Sequence, residues 1–347
     1  MHHKVKKQLE IDENDFLETM MQMNFYQSPL WREITTLYGR KIFWCESKKK
    51  KYRWVVKEKK ILWFTIRWYQ ILGIEENINK EELCHFLVML KKKYCWRNTI
   101  MIQFGLTNVL SMVDSEMLKD QTLVKEIRGV RKAFQNTMEK QYHLHPSFKE
   151  NMPPATVLVD LSKSVEDLRE KISKNTKQHI KKARNHWLTF SIAADNERSL
   201  FFDIWQKTAA QKGFQTITCD QFEKLKRYII SQNKGNLFLA KQNDRIVSGN
   251  ICLFVGDTLV YLYGGADRSY GNIGGDQFLK RKLIEWGKKN CYSSFDLLGT
   301  APTGWTNHPL QGVGQLKEGL GGKKIDYGGS FDLIGNPFLY SIWKRVK

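Results

Sequence analysis

The chain has 347 residues, 41% of them hydrophobic, which is enough for two domains of about 150 residues with packed cores. Its formal net charge of +20 favours polyanionic partners, although lysines scattered along the chain are also typical of a generally basic proteome. The six cysteines form no C-x-x-C pair, so we expect neither a disulfide framework nor a metal site. With no run of about 18 apolar residues and no signal peptide, we expect a cytoplasmic protein without a membrane span.

The first half is predicted to be mixed α/β. Apolar residues at three- and four-residue spacing predict helices at 15–24, 29–39 and 79–95. Runs rich in β-branched and aromatic residues predict strands at 40–47, 53–73 and 98–105. Pro146, Pro153 and Pro154 then interrupt the pattern, so we place a domain boundary near residue 150.

The second half repeats the alternation. Strands are predicted at 156–161, 188–194, 235–243, 244–256, 257–266 and 293–299. Helices are predicted at 166–186 (as a pair), 197–212, 220–231 and 276–290. Two helices, an antiparallel meander, a helix and a strand follow the order of an acetyltransferase-type acyl-transfer fold. The predicted fold class is therefore α/β (α+β), with mixed and largely antiparallel sheets.

A basic helix and a glycine-rich strand end are the stretches that suggest binding. Lys174, Lys177, Lys181 and Arg184 share one face of the helix in "KISKNTKQHIKKARNHW", which suits a phosphate backbone or, as the alternative, a solvated surface. The strand "VYLYGGAD" ends in Gly264 and Gly265 before Asp267, where a substrate chain can approach the backbone closely. On that strand Tyr261 and Tyr263 alternate and can face either the core or a channel.

The ordered set of stretches resembles the Fem (FemABX) family of peptidyltransferases. The matching stretches cover most of residues 24–347 and include "FYQSPLWREI", "PPATVLVDLSKSVEDLREKISKNTKQHIKKA", "VYLYGGAD", "KLIEWGKKNCYSSFDLLG" and "GQLKEGLGGKKIDYGGSFDL". The resemblance implies two acetyltransferase-like (GNAT-type) domains, at 1–150 and 151–327. Residues 328–347 would return to complete the first domain. The coiled-coil arm of some relatives is absent, so a compact monomer is expected.

The resemblance also implies an activity. Fem enzymes move an amino acid from aminoacyl-tRNA to the stem-peptide amine of a peptidoglycan precursor, with the aminoacyl-tRNA as co-substrate and no further cofactor. The motif "LKEGLG" fits the closing motif of the family, with Leu316 and Leu320 in place of aromatic residues. It places Lys317 on the family lysine that is implicated in stabilising the charge formed as the amine attacks the ester. By composition the surrounding glycines predict a flexible loop, which would leave room for a peptide stem and a tRNA terminus beside Lys317. The implied substrate-binding residues are Trp31, Lys177, Lys181, Arg184, Gly264, Gly265, Asp267 and Leu316.

Several positions depart from the family pattern. Thr35, Gly105 and Ile217 stand where relatives carry residues that hold the acceptor, so the phosphate-gripping set is not visible. A lipid-linked precursor held differently, other basic residues such as Arg40, Lys41 and Arg67, or a different acceptor would each account for this. Contact with the inner face of the plasma membrane stays open. Two alternatives are an acyl-CoA-dependent N-acyltransferase, for which "RSYGNIGGDQF" is a loose phosphate loop, and a non-catalytic RNA- or membrane-surface-binding protein.

Overall fold

The computed structural model describes residues 25–47, 50–61, 64–74, 80–95 and 98–346, so the helix predicted at 15–24 lies outside the described residues. The strands are β1 (Lys41–Ser47), β2 (Lys50–Ile61), β3 (Phe64–Ile74), β4 (Thr99–Asp114), β5 (His145–Pro146), β6 (Ala155–Asp160), β7 (Thr189–Ile192), β8 (Gly235–Gln242), β9 (Arg245–Val255), β10 (Thr258–Ala266), β11 (Ser294–Asp296) and β12 (Lys323–Ile334).

The α-helices alternate with these strands, as the sequence predicts for an α/β protein. They are α1 (Pro29–Leu37), α2 (Lys80–Tyr94), α3 (Gln121–Tyr142), α4 (Val165–Glu170), α5 (Lys174–Asn185), α6 (Asp195–Lys212), α7 (Cys219–Ser231), α8 (Gly275–Lys289), α9 (Gln311–Glu318) and α10 (Pro337–Val346). Short 3-10 turns lie at Phe25–Gln27, Ser115–Lys119 and Arg268–Tyr270. Across the ranges that the structure describes, no helix is long and apolar enough to cross a membrane.

All the described strands join one sheet, in the order β1-β2-β3-β4-β12-β6-β11-β10-β9-β8-β7, with β5 paired to β12. The pairs β3–β4 and β10–β11 are parallel and the other described pairs are antiparallel. The predicted fold class is therefore confirmed. Strand β12 joins the two halves, because it pairs with β4 along its length and with β6 over Lys323–Asp326. The predicted division into domains at residue 150 stays a prediction.

Strand β4 is much longer than the stretch predicted at 98–105, because its second half pairs with β12, a partner more than 200 residues away in the chain. Gly105, which looks like a strand end in the sequence, lies inside β4. A Cβ atom at Gly105 would lie 2.3 Å from the Met152 sulfur, so this glycine lets Met152 cover the strand. The pairing is non-local, and local sequence patterns do not record it.

The second half of the sheet is covered on both faces. On one face, α5 and α8 enclose a core that includes Phe238, Phe278 and Phe295. On the other face, α6 and α7 enclose Phe201, Trp205 and Phe222, and α1 packs onto this same core through Leu30 and Ile34. The N-terminal helix α1 is therefore part of the cover of the second half. Side-chain contacts fix it there, since Gln221 Nε2 donates to the Tyr38 carbonyl at 2.9 Å.

Candidate active site

A notch opens in the sheet where strands β10 and β11 diverge. These parallel strands pair only from Thr258–Ser294 to Val260–Asp296. Strand β11 then ends, whereas β10 continues to Ala266 and keeps only β9 as a described partner. We call the space between residues 261–266 of β10 and the turn 297–299 after β11 the notch. Residues 261–264 at its edge are partly exposed to solvent.

The turn after β11 directs two successive carbonyl groups at one side chain. Leu298 has φ +49°, an uncommon value for a residue with a side chain, and its N–H donates to Asp296 Oδ1 at 2.8 Å. The Thr156 hydroxyl donates to the same carboxylate oxygen. The carbonyl oxygens of Leu298 and Gly299 lie 2.9 and 2.8 Å from Lys317 Nζ, which donates to both. The turn therefore fixes the lysine nitrogen at the notch.

Lys317 lies on helix α9, whereas its glycine-rich surroundings predict a loop that leaves room for substrates. That expectation of a loop is wrong for residues 311–318. Close packing requires a glycine at the end of this helix, because a Cβ at Gly319 would lie 2.3 Å from the Thr176 hydroxyl. Lys317 itself is only 4% exposed.

Lys317 has a perturbed charge state. Burial and the nearby Lys280 cation lower its pKa to about 7, against the opposing influence of Asp296 and Asp276. An ammonium group has three N–H donors, and the two carbonyls use two of them. The protonated side chain thus retains one donor for a further acceptor, whereas the neutral amine has none to spare. The protonation state therefore decides what Lys317 can do.

The ring of Tyr261 lies beside two buried lysines. Lys317 Nζ is 5.2 Å from the ring centroid, and Lys280 Nζ is 4.5 Å from it. Lys280, on α8, is 3% exposed and pairs with Asp276 one turn earlier. Burial opposes the charge of Lys280, but Asp276 and Tyr261 outweigh burial and raise its pKa. For Tyr261, burial is the main influence and raises the pKa to about 12, although the Lys280 cation acts against this.

Sequence reasoning missed Lys280, because a lysine on a helix is usually solvated. A signal was present. Lys280 lies four residues after Asp276 and four before Ile284, so it falls on the buried face of α8 with a carboxylate in reach. Asp296 was also missed, although it lies in the middle of the predicted strand "SSFDLLG" as the only charged residue there. Burial raises the pKa of Asp296, against the hydrogen bonds from Thr156 and Leu298 and the charge of Lys317.

A β-bulge separates the two tyrosines of β10. Tyr261 lies opposite Cys252 and Tyr263 opposite Ile251, so Leu262 is an extra residue in β10. Tyr261 consequently faces α8, while Tyr263 faces α6, where it stacks on Trp205 with ring centroids 4.5 Å apart. The Tyr263 hydroxyl is 3.2 Å from that of Tyr38. Simple alternation along the strand predicts one shared face, and the bulge overrides it.

The predicted acceptor-channel residues have partners within the protein. A Cβ at Gly264 would lie 2.2 Å from the Tyr261 hydroxyl, and one at Gly265 would lie 2.9 Å from Trp205 Cα. Gly264 thus leaves room for the Tyr261 hydroxyl, and Gly265 allows close approach of helix α6. Asp267 accepts the Ser269 N–H at 2.9 Å and begins the short turn before α8. All three border the notch, and their contact with an acceptor stays a prediction.

Helix α5 presents the predicted basic face. Ser173 begins the helix by accepting the Thr176 N–H, and Thr176, Ile180 and Ala183 face the core. Lys177, Lys181 and Arg184 are exposed, and α5 contains no acidic residue. Lys177 Nζ donates to the Glu170 carbonyl at 3.1 Å.

This basic helix adjoins the helix of Lys317. The Ser173 N–H donates to the Gly319 carbonyl at 2.9 Å, so α5 begins where α9 ends. Trp187, just beyond the other end of α5, is 84% exposed. The structure thus brings the basic face and Lys317 onto neighbouring elements.

Trp31 and Leu316, the remaining predicted binding residues, lie on different helices, α1 and α9. Trp31 is half-buried on α1, with its ring centroid 5.0 Å from that of Phe25 and 6.0 Å from that of Tyr26. It belongs to the α6 and α7 face of the sheet. Leu316 is half-buried beside Lys317 on α9, and Leu320 is buried in the core under α5 and α8. Within the described ranges, no cluster of three or more metal-ligating side chains occurs.

Comparison with known proteins places this geometry in a fold family. A family model for the acetyltransferase (GNAT) domain matches residues 170–305, which include α5, β10 and α8. No curated protein matches the chain by sequence. The solved structure of FemX is similar over 92% of this chain and 94% of its own, with a TM-score of 0.65 and 16% identity.

A second solved structure is similar over 90% of each chain, with a TM-score of 0.50 and 10% identity. It is the C-terminal domain of a protein assigned as a lysylphosphatidylglycerol synthetase from Agrobacterium fabrum. These likenesses confirm, at the level of the fold, the resemblance seen in the sequence. Residues 170–305 thus match a GNAT domain, and the chain as a whole shares its overall fold with FemX.

Proposed function

We propose that the protein is an aminoacyltransferase that moves an amino acid from aminoacyl-tRNA to the stem-peptide amine of a peptidoglycan precursor. One observation carries the proposal: a buried lysine at the notch, held by two carbonyls, keeps one N–H donor when protonated. The likeness in fold to FemX supports the same assignment. The activity would contribute to the cross-bridge of the cell wall.

The reaction requires little beyond orientation and charge stabilisation. The neutral amine nitrogen attacks the ester carbonyl carbon, a C–N bond forms, and the carbonyl oxygen becomes an oxyanion. The third N–H of Lys317 stabilises that oxyanion in a water-poor site. The C–O bond to the tRNA ribose then breaks, and the proton of the amine passes to the leaving ribose oxygen. Because an aminoacyl ester is already activated, no covalent nucleophile is needed.

Tyr261 and the Asp276–Lys280 pair set the charge state of Lys317. The ring of Tyr261 attracts the ammonium form of Lys317 across 5.2 Å. The Lys280 cation on α8 has the opposite influence and lowers the pKa of Lys317. The balance keeps both protonation states of Lys317 accessible near neutral pH. Lys280 and Asp276 thus act as positioning residues, because they reach the reacting atoms only through Tyr261 and Lys317.

The basic face of α5 suits the tRNA donor. Lys177, Lys181 and Arg184 offer cations to successive phosphates, and no acidic residue within α5 competes for them. Exposed Trp187 at the end of the same helix offers a surface on which a base can stack. Because α5 begins beside Gly319, a tRNA terminus on this face is directed toward the notch.

The acceptor is expected to approach from the side of α1. Arg67 Nε donates to Glu58 at 2.6 Å and is therefore engaged, whereas Arg40 is exposed near the Tyr38 ring. Trp31 and Arg40 are thus the residues that we assign to the acceptor on this side. A transfer assay with each precursor in turn shows whether the acceptor is lipid-linked or UDP-linked.

The acyl-CoA alternative is disfavoured by the start of α8. Acyl-CoA enzymes of this fold need a helix N-terminus that is open to pyrophosphate. Here Asp276 places a carboxylate in the first turn, and a Cβ at Gly274 would lie 2.1 Å from the His179 carbonyl oxygen. The pyrophosphate of acyl-CoA would therefore meet the negative charge of Asp276 at this position. Calorimetric titration with acetyl-CoA tests this alternative, and we expect no binding.

The experiment that tests the proposal combines charged tRNA with purified precursor. Purified protein is incubated with a panel of aminoacyl-tRNAs and with either UDP-linked or lipid-linked precursor. Mass spectrometry of the products then identifies any added amino acid. We expect transfer from at least one donor to one acceptor. No transfer from any aminoacyl-tRNA to either acceptor would overturn the proposal.

A further inference from the structure

A buried carboxamide on strand β9 has no partner in the part of the chain that the structure describes. Asn250 is 0% exposed, and neither its Oδ1 nor its Nδ2 atom makes a hydrogen bond there. The Ser248 hydroxyl, two residues earlier on the same face of β9, is also fully buried and unpartnered. Buried polar groups are almost always paired, and exceptions call for a specific explanation.

The Asn250 carboxamide and the Tyr261 hydroxyl converge on Gly264. Asn250 lies directly opposite Gly264 in the β9–β10 ladder. A Cβ at Gly264 would lie 2.5 Å from Asn250 Oδ1 and 2.2 Å from the Tyr261 hydroxyl. Any other residue at 264 would clash with both groups. The Ser248 hydroxyl lies further along, 3.4 Å from the position of a Cβ at Gly275. We call Ser248, Asn250 and the Tyr261 hydroxyl the polar floor.

The polar floor is linked to the proposed reaction centre by a single ring. The hydroxyl of Tyr261 belongs to the floor, and the ring of the same residue lies 5.2 Å from Lys317 Nζ. Tyr261 therefore contacts both the proposed reaction centre and the floor. Tyr261 is itself partly exposed at the notch, which provides the access that Asn250 alone lacks.

We propose that the polar floor is the subsite for the side chain of the transferred amino acid, and that it selects a small hydroxyl side chain such as that of serine. This inference rests on the proposed function. A carboxamide both donates and accepts, and so does a hydroxyl, so one serine side chain can satisfy Asn250 from either direction. A charged side chain would pay for desolvation in a fully buried site.

An apolar donor side chain is rejected for a related reason. A methyl group would occupy the same space but leave Asn250 and Ser248 unpaired. Sites built to hydrogen-bond a substrate group discriminate strongly against the analogue that lacks it. Serine and alanine differ by one hydroxyl, so a single tRNA charged with either amino acid gives a matched pair of seryl and alanyl donors for this subsite.

The kinetic test compares these two donors in wild type and in Asn250→Leu, which keeps the volume of the side chain and removes both polar atoms. We expect wild type to prefer seryl over alanyl donor by about 100-fold or more in kcat/KM. In Asn250→Leu the ratio should fall at least tenfold. An unchanged ratio, or a wild-type preference for alanine, overturns the subsite. Absence of transfer from every aminoacyl-tRNA overturns the proposed function as well, so a failure of the subsite can be told apart from a failure of the proposed function.

A stability measurement separates a ligand-facing residue from a structural one. Gln103 is the matched control, because it is 3% exposed and paired: its Oε1 accepts from Gln70 Nε2 at 2.7 Å and its Nε2 donates to the Lys149 carbonyl at 2.7 Å. Gln103→Leu should lower Tm by about 3–6 °C. Asn250→Leu should leave Tm unchanged or raise it, because it removes unpaired polar atoms. An equal loss in both variants would show that Asn250 is held by structural water only, and would overturn the subsite.

Discussion

The Lys317 nitrogen lies 5.2 Å from the centroid of the Tyr261 ring, across the notch that opens where β10 and β11 diverge. The contact joins the two walls of the notch, because Tyr261 belongs to β10 and Lys317 binds the carbonyls of the turn after β11. A buried cation is thus held between a π face and two carbonyl dipoles, with one donor left over. The proposed chemistry depends on this arrangement.

The pH dependence of transfer should report Lys317 directly. Below about pH 7 the logarithm of kcat/KM should rise with unit slope as the acceptor amine loses its proton. Above it the profile should flatten, because Lys317, whose pKa is lowered to about 7, loses the proton that supplies its third donor. In Lys317→Arg, whose side chain stays charged, any remaining activity should keep rising through pH 7. A bend that stays in place in Lys317→Arg would assign the titration to another group.

Removal of the Tyr261 ring should move that bend downward. The ring stabilises the ammonium form, with an expected contribution of about 0.5–2 kcal/mol, so Tyr261→Leu should shift the bend by about 0.5–1 pH unit to lower pH. Tyr261→Phe keeps the ring and is the control, so its bend should stay near that of wild type. Equal shifts in both variants would contradict a role for the π face.

Removal of the Lys280 charge should move the bend in the opposite direction. Lys280 also contacts the Tyr261 ring, and its charge lowers the pKa of Lys317. Lys280→Met removes the like charge and leaves Asp276, which raises the pKa of Lys317. We therefore expect the bend of the pH–rate profile to shift upward. A merely structural role of Lys280 would lower activity at every pH without moving the bend.

The stability of the protein should depend on pH through the same lysine. In the unfolded chain Lys317 keeps a pKa near 10.5, whereas in the folded protein it is lowered to about 7. Between these values the unfolded state binds the additional proton, so the free energy of unfolding should rise with pH. The contribution of this group is about 2 kcal/mol between pH 7 and pH 9. Urea unfolding at both pH values should show a smaller rise in Lys317→Met, and an equal rise would contradict the shift.

The basic face of α5 should govern the affinity for tRNA. The double variant Lys177→Glu, Lys181→Glu should raise KM for charged tRNA at least tenfold and reduce the salt dependence of binding, because phosphate contacts are lost. The slope of log affinity against log salt should fall by about 0.7–0.9 for each lost contact. Lys132→Glu, an exposed lysine on α3, is the control and should have little effect. Equal effects at both sites would indicate that only net charge matters.

Much of the fold could be predicted from local sequence, and the candidate site only in part. The amphipathic pattern of α2 and the basic face of α5 follow from helical periodicity, and both occur as predicted. Three decisive features depend on non-local contacts. Leu262 forms a bulge only through its register with β9, Lys280 lies against the Tyr261 ring of a strand that precedes its helix, and the length of β4 depends on β12.

The region around Lys317 illustrates the same limit. Glycines 312, 314 and 319 predict a loop by propensity, but residues 311–318 form a short helix, and Gly319 at its end lets the chain pack against Thr176. The resemblance points to Lys317, whereas the burial of this lysine and its two carbonyl partners emerge only from the folded chain.

The central claim is that Lys317 stabilises the transition state of aminoacyl transfer, and a single-turnover rate tests it most directly. The measurement compares Lys317→Met with Lys324→Met, a control at a lysine that is 2% exposed and paired with Glu318. With aminoacyl-tRNA prebound and precursor saturating, Lys317→Met should slow transfer by about 100- to 1,000-fold. Folded Lys324→Met should stay within a few-fold of wild type. Equal rates for Lys317→Met and wild type would contradict the account.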